Sequence, residues 1–257
     1  MTAALDCRAI AKTFRTPQGA VTALDGIDLQ IQGGEFVSVL GPSGSGKSTL
    51  FNIVAGLERP DTGTVWIDGQ EATGQRGRVA YMPQRDALLP WRTVLDNAVL
   101  ATTVARTDVG AARGEAERLL PAFGLAGFGD ALPKHLSGGM RQRAALLRTV
   151  LWQRPLMLLD EPFGALDALT RMQLQAWLLD LWQQLERTVL LVTHDVDEAL
   201  VLSDRVYVFT PRPGRVALEL AVTLPRPRPS QITTSPAFVQ LKAQLYHALG
   251  YDALPGT

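Results

Sequence analysis

The chain has 257 residues, 46% of them hydrophobic and 19% charged, with a formal net charge of zero. That length suits one domain with a subdomain or two small domains, and the composition is ordinary globular usage. The missing basic excess argues against a nucleic-acid binder, and the single cysteine, Cys7, excludes an intrachain disulfide and fits a reducing compartment.

Met1–Leu5 lacks the positive region and apolar core of a signal peptide. No apolar run approaches the roughly 18 residues of a membrane span. The longest, such as Leu156–Leu159 and Val189–Val192, have the length of buried strands. Any work at a membrane is therefore expected from its surface.

Taken in chain order, Ile27, Leu29 and Ile31 alternate with Asp28 and Gln30, a half-buried strand, and Gly33-Gly34 makes a turn. Phe36–Leu40 is apolar apart from Ser38, which predicts a strand covered on both faces. A short helix is predicted over Ser48–Leu57, then strands at Thr64–Asp68 and Arg78–Met82. From about Arg85 to Gln153 the pattern becomes helical, over Val94–Val104 and Arg113–Phe123, with a Gly/Pro-containing loop at Gly124–Pro133. Ser137 reads as the N-cap of a helix through Met140–Trp152. Strand and helix then alternate: Leu156–Asp160, a long helix over Ala168–Arg187 with Met172, Ala176, Leu179 and Trp182 near one face, then Thr188–Thr193, Asp195–Leu202, Arg205–Phe209 and Arg215–Leu220. Such alternation predicts an α/β fold with a mainly parallel sheet. Leu224–Ser230 is Pro-rich and expected to be extended, and Phe238, Leu241, Leu245 and Leu249 predict a final helix.

Two segments carry chemistry. Gly41-Pro42-Ser43-Gly44-Ser45-Gly46-Lys47-Ser48 matches G-x-x-x-x-G-K-[ST]. Its glycines let the backbone close on phosphate, the helix behind it adds a positive N-terminus, Lys47 adds a full charge, and the Ser48 hydroxyl can take a place on Mg²⁺. The apolar run Leu156–Leu159 ends in Asp160-Glu161. Carboxylates at the end of a buried parallel strand fit a ligand site, with Asp160 as a Mg²⁺ partner and Glu161 as the base that polarises water. ATP and Mg²⁺ are the cofactors these residues predict.

His135-Leu136-Ser137-Gly138-Gly139-Met140-Arg141-Gln142-Arg143, followed by LMLLDEP, resembles the nucleotide-binding subunits of ABC transporters. The resemblance covers about residues 5–220. It implies a P-loop NTPase cassette: a RecA-like core, an antiparallel β-subdomain and an inserted α-helical subdomain. The corresponding domains are residues 1–220 with about 85–153 inserted, and a C-terminal extension over 221–257. It also implies a head-to-tail dimer, with ATP held between the phosphate loop, Thr49 included, of one copy and Ser137, Gly138 and Gly139 of the other. Gln84 falls at the Q-loop and is a further metal ligand, Ala165-Leu166-Asp167 match the D-loop, and His194 matches the histidine that senses the γ-phosphate. Phe14 stands where the family stacks an aromatic on adenine; packing against Ile10 is the plainer alternative.

Ala87–Asn97, with its LLPW-x-TVLDN pattern, resembles the nitrate/sulfonate/taurine importer branch, as do the Pro-rich tail and the lack of an extra β-domain. That implies an ATPase on the cytoplasmic face of the inner membrane, working with two transmembrane permease subunits and, indirectly, a periplasmic solute-binding protein. Its cargo would be a small anion, and no nucleic acid is expected as a partner. Trp91 is a candidate for docking a membrane-subunit helix, against the alternative of a Trp packed in the helical subdomain; Trp177 and Trp182 are expected in the core or on a helix surface. The competing class is a soluble ABC ATPase acting on ribosome or DNA; one cassette, no sustained heptads and no basic excess argue against it.

Overall fold

The computed structural model of the chain describes residues 3–17, 19–164, 166–185 and 187–251. These fall into two units, one drawn from residues 1–79 and 186–257 and the other from 80–185. The first unit begins with β1 (Leu5–Thr16), β2 (Gly19–Ile31), β3 (Phe36–Leu40), α1 (Lys47–Val54), β4 (Thr62–Ile67) and β5 (Gln70–Glu71). The second holds β6 (Ala80–Met82), α2 (Val94–Ala98), α3 (Leu100–Ala105), α4 (Val109–Leu119), α5 (Gly138–Leu151), β7 (Leu156–Asp160) and α6 (Ala168–Leu185). The chain returns to the first unit for β8 (Thr188–Thr193), α7 (Val196–Leu202), β9 (Arg205–Phe209), β10 (Val216–Ala221) and α8 (Pro236–Ala248).

In the first unit, β2-β1-β4-β5 form an antiparallel sheet. The alternation over Ile27–Ile31 buries Ile27, Leu29 and Ile31. No such alternation marks β1, because its register against β2 shifts between Cys7 and Ile10, so both are buried at an odd spacing. Ala9, within the shift, has φ of 48° and donates its N–H to Asp28 Oδ1 at 2.8 Å. The second sheet of this unit runs parallel from β9 through β3 to β8, with β10 antiparallel on β9. Every residue of β3 and β8 is buried, as expected of strands covered on both faces. Leu40 pairs with Thr193, so β3 and β8 end at the same edge.

In the second unit, β6 and β7 are parallel, with Met82 opposite Leu159. The helix predicted over Val94–Val104 breaks at Val99, whose φ and ψ of −93° and 10° leave the helical region, so it is two short helices. α4 starts earlier than the predicted Arg113 because Asp108 caps it, accepting from the Ala111 N–H at 2.9 Å. The buried face of α6 also differs from the expected one. Leu174 and Leu178 are buried, whereas Met172 is 50% exposed. Trp177 lies edge-on to buried Phe123 at 4.2 Å.

The segment after β10 packs onto the first unit. Val222, Leu224, Phe238 and Leu245 share one apolar cluster with Leu40, Val196, Ala199, Leu200, Val206 and Val208. Between them, Arg228 is 7% exposed and its guanidinium donates to the carbonyls of Leu200 (2.8 Å), Ser203 (2.6 Å), Val222 (3.2 Å) and Leu224 (3.0 Å). Two of these lie at the C-terminal end of α7, where helical carbonyls lack partners of their own. Burial, and next the charge of Arg226, push the Arg228 guanidinium down to about 10. Because Phe238 is fully buried in this cluster, Phe238→Ala is expected to lose about 3–5 kcal/mol of stability in urea unfolding; an unchanged midpoint would mean that α8 is not docked in solution.

Candidate nucleotide site

The phosphate loop leaves the end of β3. Gly44 and Gly46 adopt φ of 80° and 89°, the left-handed region that favours glycine. A β-carbon at Gly46 would also lie 2.6 Å from Leu24 Cδ2 and 2.7 Å from the Ala23 carbonyl oxygen, so the loop is pressed against β2. Gly46 is the N-cap of α1 and supplies no side-chain cap, which leaves the first-turn N–H groups to a ligand. Lys47 is buried and folds back over its own loop, donating to the carbonyls of Gly41 at 2.7 Å and Pro42 at 2.9 Å. Ser45 is buried, while Ser43, Gly44 and Ser48 are exposed, and Gly41, Pro42 and Thr49 complete the loop and the first turn.

His194 is exposed directly after β8, at the edge from which the phosphate loop also emerges. A local network holds that end. Thr193 Oγ1 donates to Glu198 Oε2 at 2.8 Å and accepts from the Asp195 N–H at 3.0 Å. Asp195 Oδ1 caps α7 by accepting from the N–H groups of Asp197 and Glu198 at 2.9 and 3.1 Å.

The second unit builds its own constellation at the paired ends of β6 and β7. Asp160 is 2% exposed at the end of β7. Burial, and next the charge of Asp160, push the Tyr81 phenol on β6 above its ordinary value. Glu161 has φ of 49°, a left-handed conformation uncommon for a residue with a side chain and concentrated at functional positions. Gln84 Nε2 donates to Glu161 Oε2 at 3.1 Å, so the two are in direct contact. Gln142 Nε2 donates to the Glu161 carbonyl at 3.3 Å. Gln142 lies inside the His135–Arg143 segment, where nothing in the pattern marks it as a support for Glu161.

Ser137 caps α5, accepting from the Met140 N–H at 3.2 Å. Ser137 and Gly138 are exposed, so this helix end opens to solvent. Asp167 accepts from the Thr170 N–H at 3.0 Å, and that bond holds its carboxyl below the usual carboxylate range. Ala165 of the same predicted loop lies outside the described residues. Phe14 is 36% exposed on β1, with Lys12 Nζ 5.3 Å from its ring centroid, whereas Ile10 is fully buried. Trp91 is 73% exposed, which removes the alternative of a tryptophan packed in the helical subdomain. Fully buried Asn97 holds its loop, donating to the carbonyls of Leu89, Arg92 and Thr93 at 3.1, 3.0 and 2.9 Å and accepting from the Leu89 N–H at 2.7 Å.

The ABC transporter family profile matches residues 24–164. An aliphatic sulfonates import ATP-binding protein of Burkholderia cenocepacia is 44% identical, covering 95% of this chain and 86% of that protein. A nitrate import ATP-binding protein of Synechococcus elongatus is 40% identical, covering 96% and 92%. A dimeric ATP-binding cassette in a post-hydrolysis state, bound to ADP and Pi, superposes with a TM-score of 0.76 at 30% identity, covering 86% of this chain and 99% of that one. The chain belongs to the ABC transporter family; it has the P-loop cassette fold and is an ATP-binding ATPase subunit whose relatives include those of nitrate and sulfonate importers. No helix among the described residues is long and apolar enough to cross a membrane.

Removing the Lys47 ammonium, and with it the bonds it donates to the Gly41 and Pro42 carbonyls, is expected to weaken ATP binding about 10- to 100-fold in Lys47→Ala, the worth of a charge-assisted hydrogen bond. Isothermal titration with Mg·ATP checks this, and parental affinity would contradict the phosphate-loop assignment.

Proposed function

We propose that this chain is the ATP-hydrolysing motor of an importer for a small anion of the nitrate, sulfonate or taurine type. The observation that carries the proposal is the solvent-open, Ser137-capped N-terminus of α5 in a chain that also carries a phosphate loop. Two anion sites of this kind suit a head-to-tail dimer, in which Ser137, Gly138 and Gly139 of one copy close on the nucleotide bound by residues 41–49 of the other. The dimeric state of the related cassette, bound to ADP and Pi, supports a dimer.

In this reading Gly41, Pro42, Ser43, Gly44, Ser45, Gly46, Lys47, Ser48 and Thr49 cradle the phosphates, and Phe14 stacks on the base. Glu161, oriented by Gln84 through the 3.1 Å hydrogen bond, draws a proton from the attacking water. His194, exposed at the strand end, reads the γ-phosphate. The hydroxyl of Ser48, the amide oxygen of Gln84 and the carboxylate of Asp160 are hard oxygen donors that fit Mg²⁺; the ion would neutralise phosphate charge as the γ-phosphoryl leaves. The 73% exposed Trp91, on a loop stapled by Asn97, would dock on one of two permease subunits, placing the chain on the cytoplasmic face of the inner membrane. A periplasmic binding protein would then deliver the cargo. That relatives at 40% and 44% identity are nitrate and sulfonate import subunits supports the anion class.

Two outcomes are expected. Glu161→Gln should bind ATP, lose about 10²- to 10⁴-fold in turnover and accumulate as an ATP-dependent dimer in size-exclusion chromatography; parental turnover would refute the base. A photo-crosslinker at Trp91 should capture a permease subunit in the assembled transporter, and labelling of the partner cassette alone would refute the docking role.

A further inference from the structure

The β9–β10 hairpin presses on the phosphate loop from outside the recognised motif. Gly214 is buried, and any side chain there would collide with the carbonyl of Ser45. Its N–H donates to the Ala23 carbonyl at 2.9 Å, and its own carbonyl accepts from the Asp25 N–H at 3.0 Å. Thr210 Oγ1 donates to the Pro213 carbonyl at 2.9 Å and accepts from the Arg215 N–H at 3.0 Å, which closes the hairpin end. Phe209 packs where a β-carbon on Gly41 would come within 3.1 Å. The hairpin is therefore a wall of the loop, anchored at both ends.

Arg212 sits at the tip of that wall. Its Nε donates to the Gly44 carbonyl at 3.4 Å, and its Nη2 lies 3.3 Å from where a β-carbon on Gly44 would be. Arg205, Arg215 and Arg226 nearby in sequence are each paired with a carboxylate, of Glu35 and Glu219, Asp25, and Asp204 respectively. Arg212 has no carboxylate partner among the described residues. A long, weak bond to a carbonyl leaves most of its five donors unused, and guanidinium is the side chain best matched to phosphate oxygens. An uncompensated cation held at the exposed edge of an anion-binding loop is poised for a polyanionic ligand.

We propose that Arg212 is a further nucleotide-site residue, which the β9–β10 hairpin holds against Gly44 so that its charge strengthens binding of the triphosphate. It rests on the assignment of residues 41–48 to nucleotide phosphate. Because ATP carries more negative charge than ADP, the cation should favour ATP over ADP. Because Arg212 is exposed, the gain should shrink as salt screens it.

The test is isothermal titration of the full chain with Mg·ATP and Mg·ADP, in Arg212→Ala, Arg212→Gln and Arg212→Lys, at about 0.05 M and about 0.5 M salt, where the screening length changes about threefold. Arg212→Gln keeps a donor for Gly44 but not the charge, and Arg212→Lys keeps the charge. The expected result is ATP binding about 10-fold weaker in the Ala and Gln variants at low salt, about 1.4 kcal/mol. ADP should be affected less, Lys should restore affinity, and the differences should narrow at high salt. Parental ATP affinity in the Ala variant, or full rescue by Gln, would overturn the proposal, the latter reducing Arg212 to a tether. Thermal melts of each variant separate misfolding from weaker binding, and the Lys/Gln comparison decides the matter if Ala unfolds. Lys47→Ala is run alongside: if it binds ATP like the parent, the loop assignment fails and the role of Arg212 with it, whereas weakened binding in Lys47→Ala beside parental affinity in Arg212→Ala overturns the role of Arg212 alone.

Discussion

The backbone at Gly46 has no room for a side chain, since Leu24 and the Ala23 carbonyl occupy that space. This close approach locks the phosphate loop to the antiparallel sheet on one side while α1 begins on the other. It leaves an uncapped helix end at a defined place, and an anion site needs that combination of rigidity and unmet hydrogen-bond donors. The buried strand β3 delivers the loop, β8 beside it delivers His194 at the same edge, and the β9–β10 hairpin walls the loop from outside. Within this frame the Lys47 ammonium turns inward and donates to two carbonyls of its own loop.

The 80–185 unit solves a different problem, that of placing carboxylates at the end of a strand buried along its whole length. Asp160 stays within the strand, and the chain turns at Glu161 with positive φ, a conformation that Gln142 and Gln84 hold by gripping its carbonyl and its carboxylate. Gln142 comes from α5, which the exposed Ser137 caps. From the same helix, Arg148 donates to the carbonyls of Asp86 and Ala87 at 2.8 and 2.7 Å, and Arg141 donates to the Asp86 carboxylate at 3.1 Å. One helix thus touches both the turn of Glu161 and the segment just after Gln84. The segment that leads to Trp91 is therefore tied to α5 by hydrogen bonds.

The tail shows how polar residues join a core. Arg226 and Arg228 reach the end of α7, where carbonyls lack helical partners, while Phe238 and Leu245 fill the apolar cluster beneath. Lys242 on α8 pairs with Asp197 at 2.6 Å in the first turn of α7. The helix that follows His194 is therefore held at both ends by residues 226–242.

Where a local pattern sets an element, the amino-acid sequence alone placed it. The phosphate loop, the acidic end of β7, the Ser137 cap and the fully buried strands were all legible, because each is a local pattern set by short-range physics. The failures have a common cause. β1 was invisible because a register shift at Ala9 destroys its period of two, and the buried face of α6 was misplaced because its apolar residues nearly surround it, so only packing partners choose between Leu174 and Met172. The same holds for Arg228, Arg212 and Gln142: a buried arginine, one with no carboxylate partner among the described residues and a glutamine beneath a strained turn are defined by what surrounds them. Local sequence decides which groups can do the chemistry; only tertiary structure decides which are paired, buried or left with unused charge, because those properties depend on residues distant in the chain.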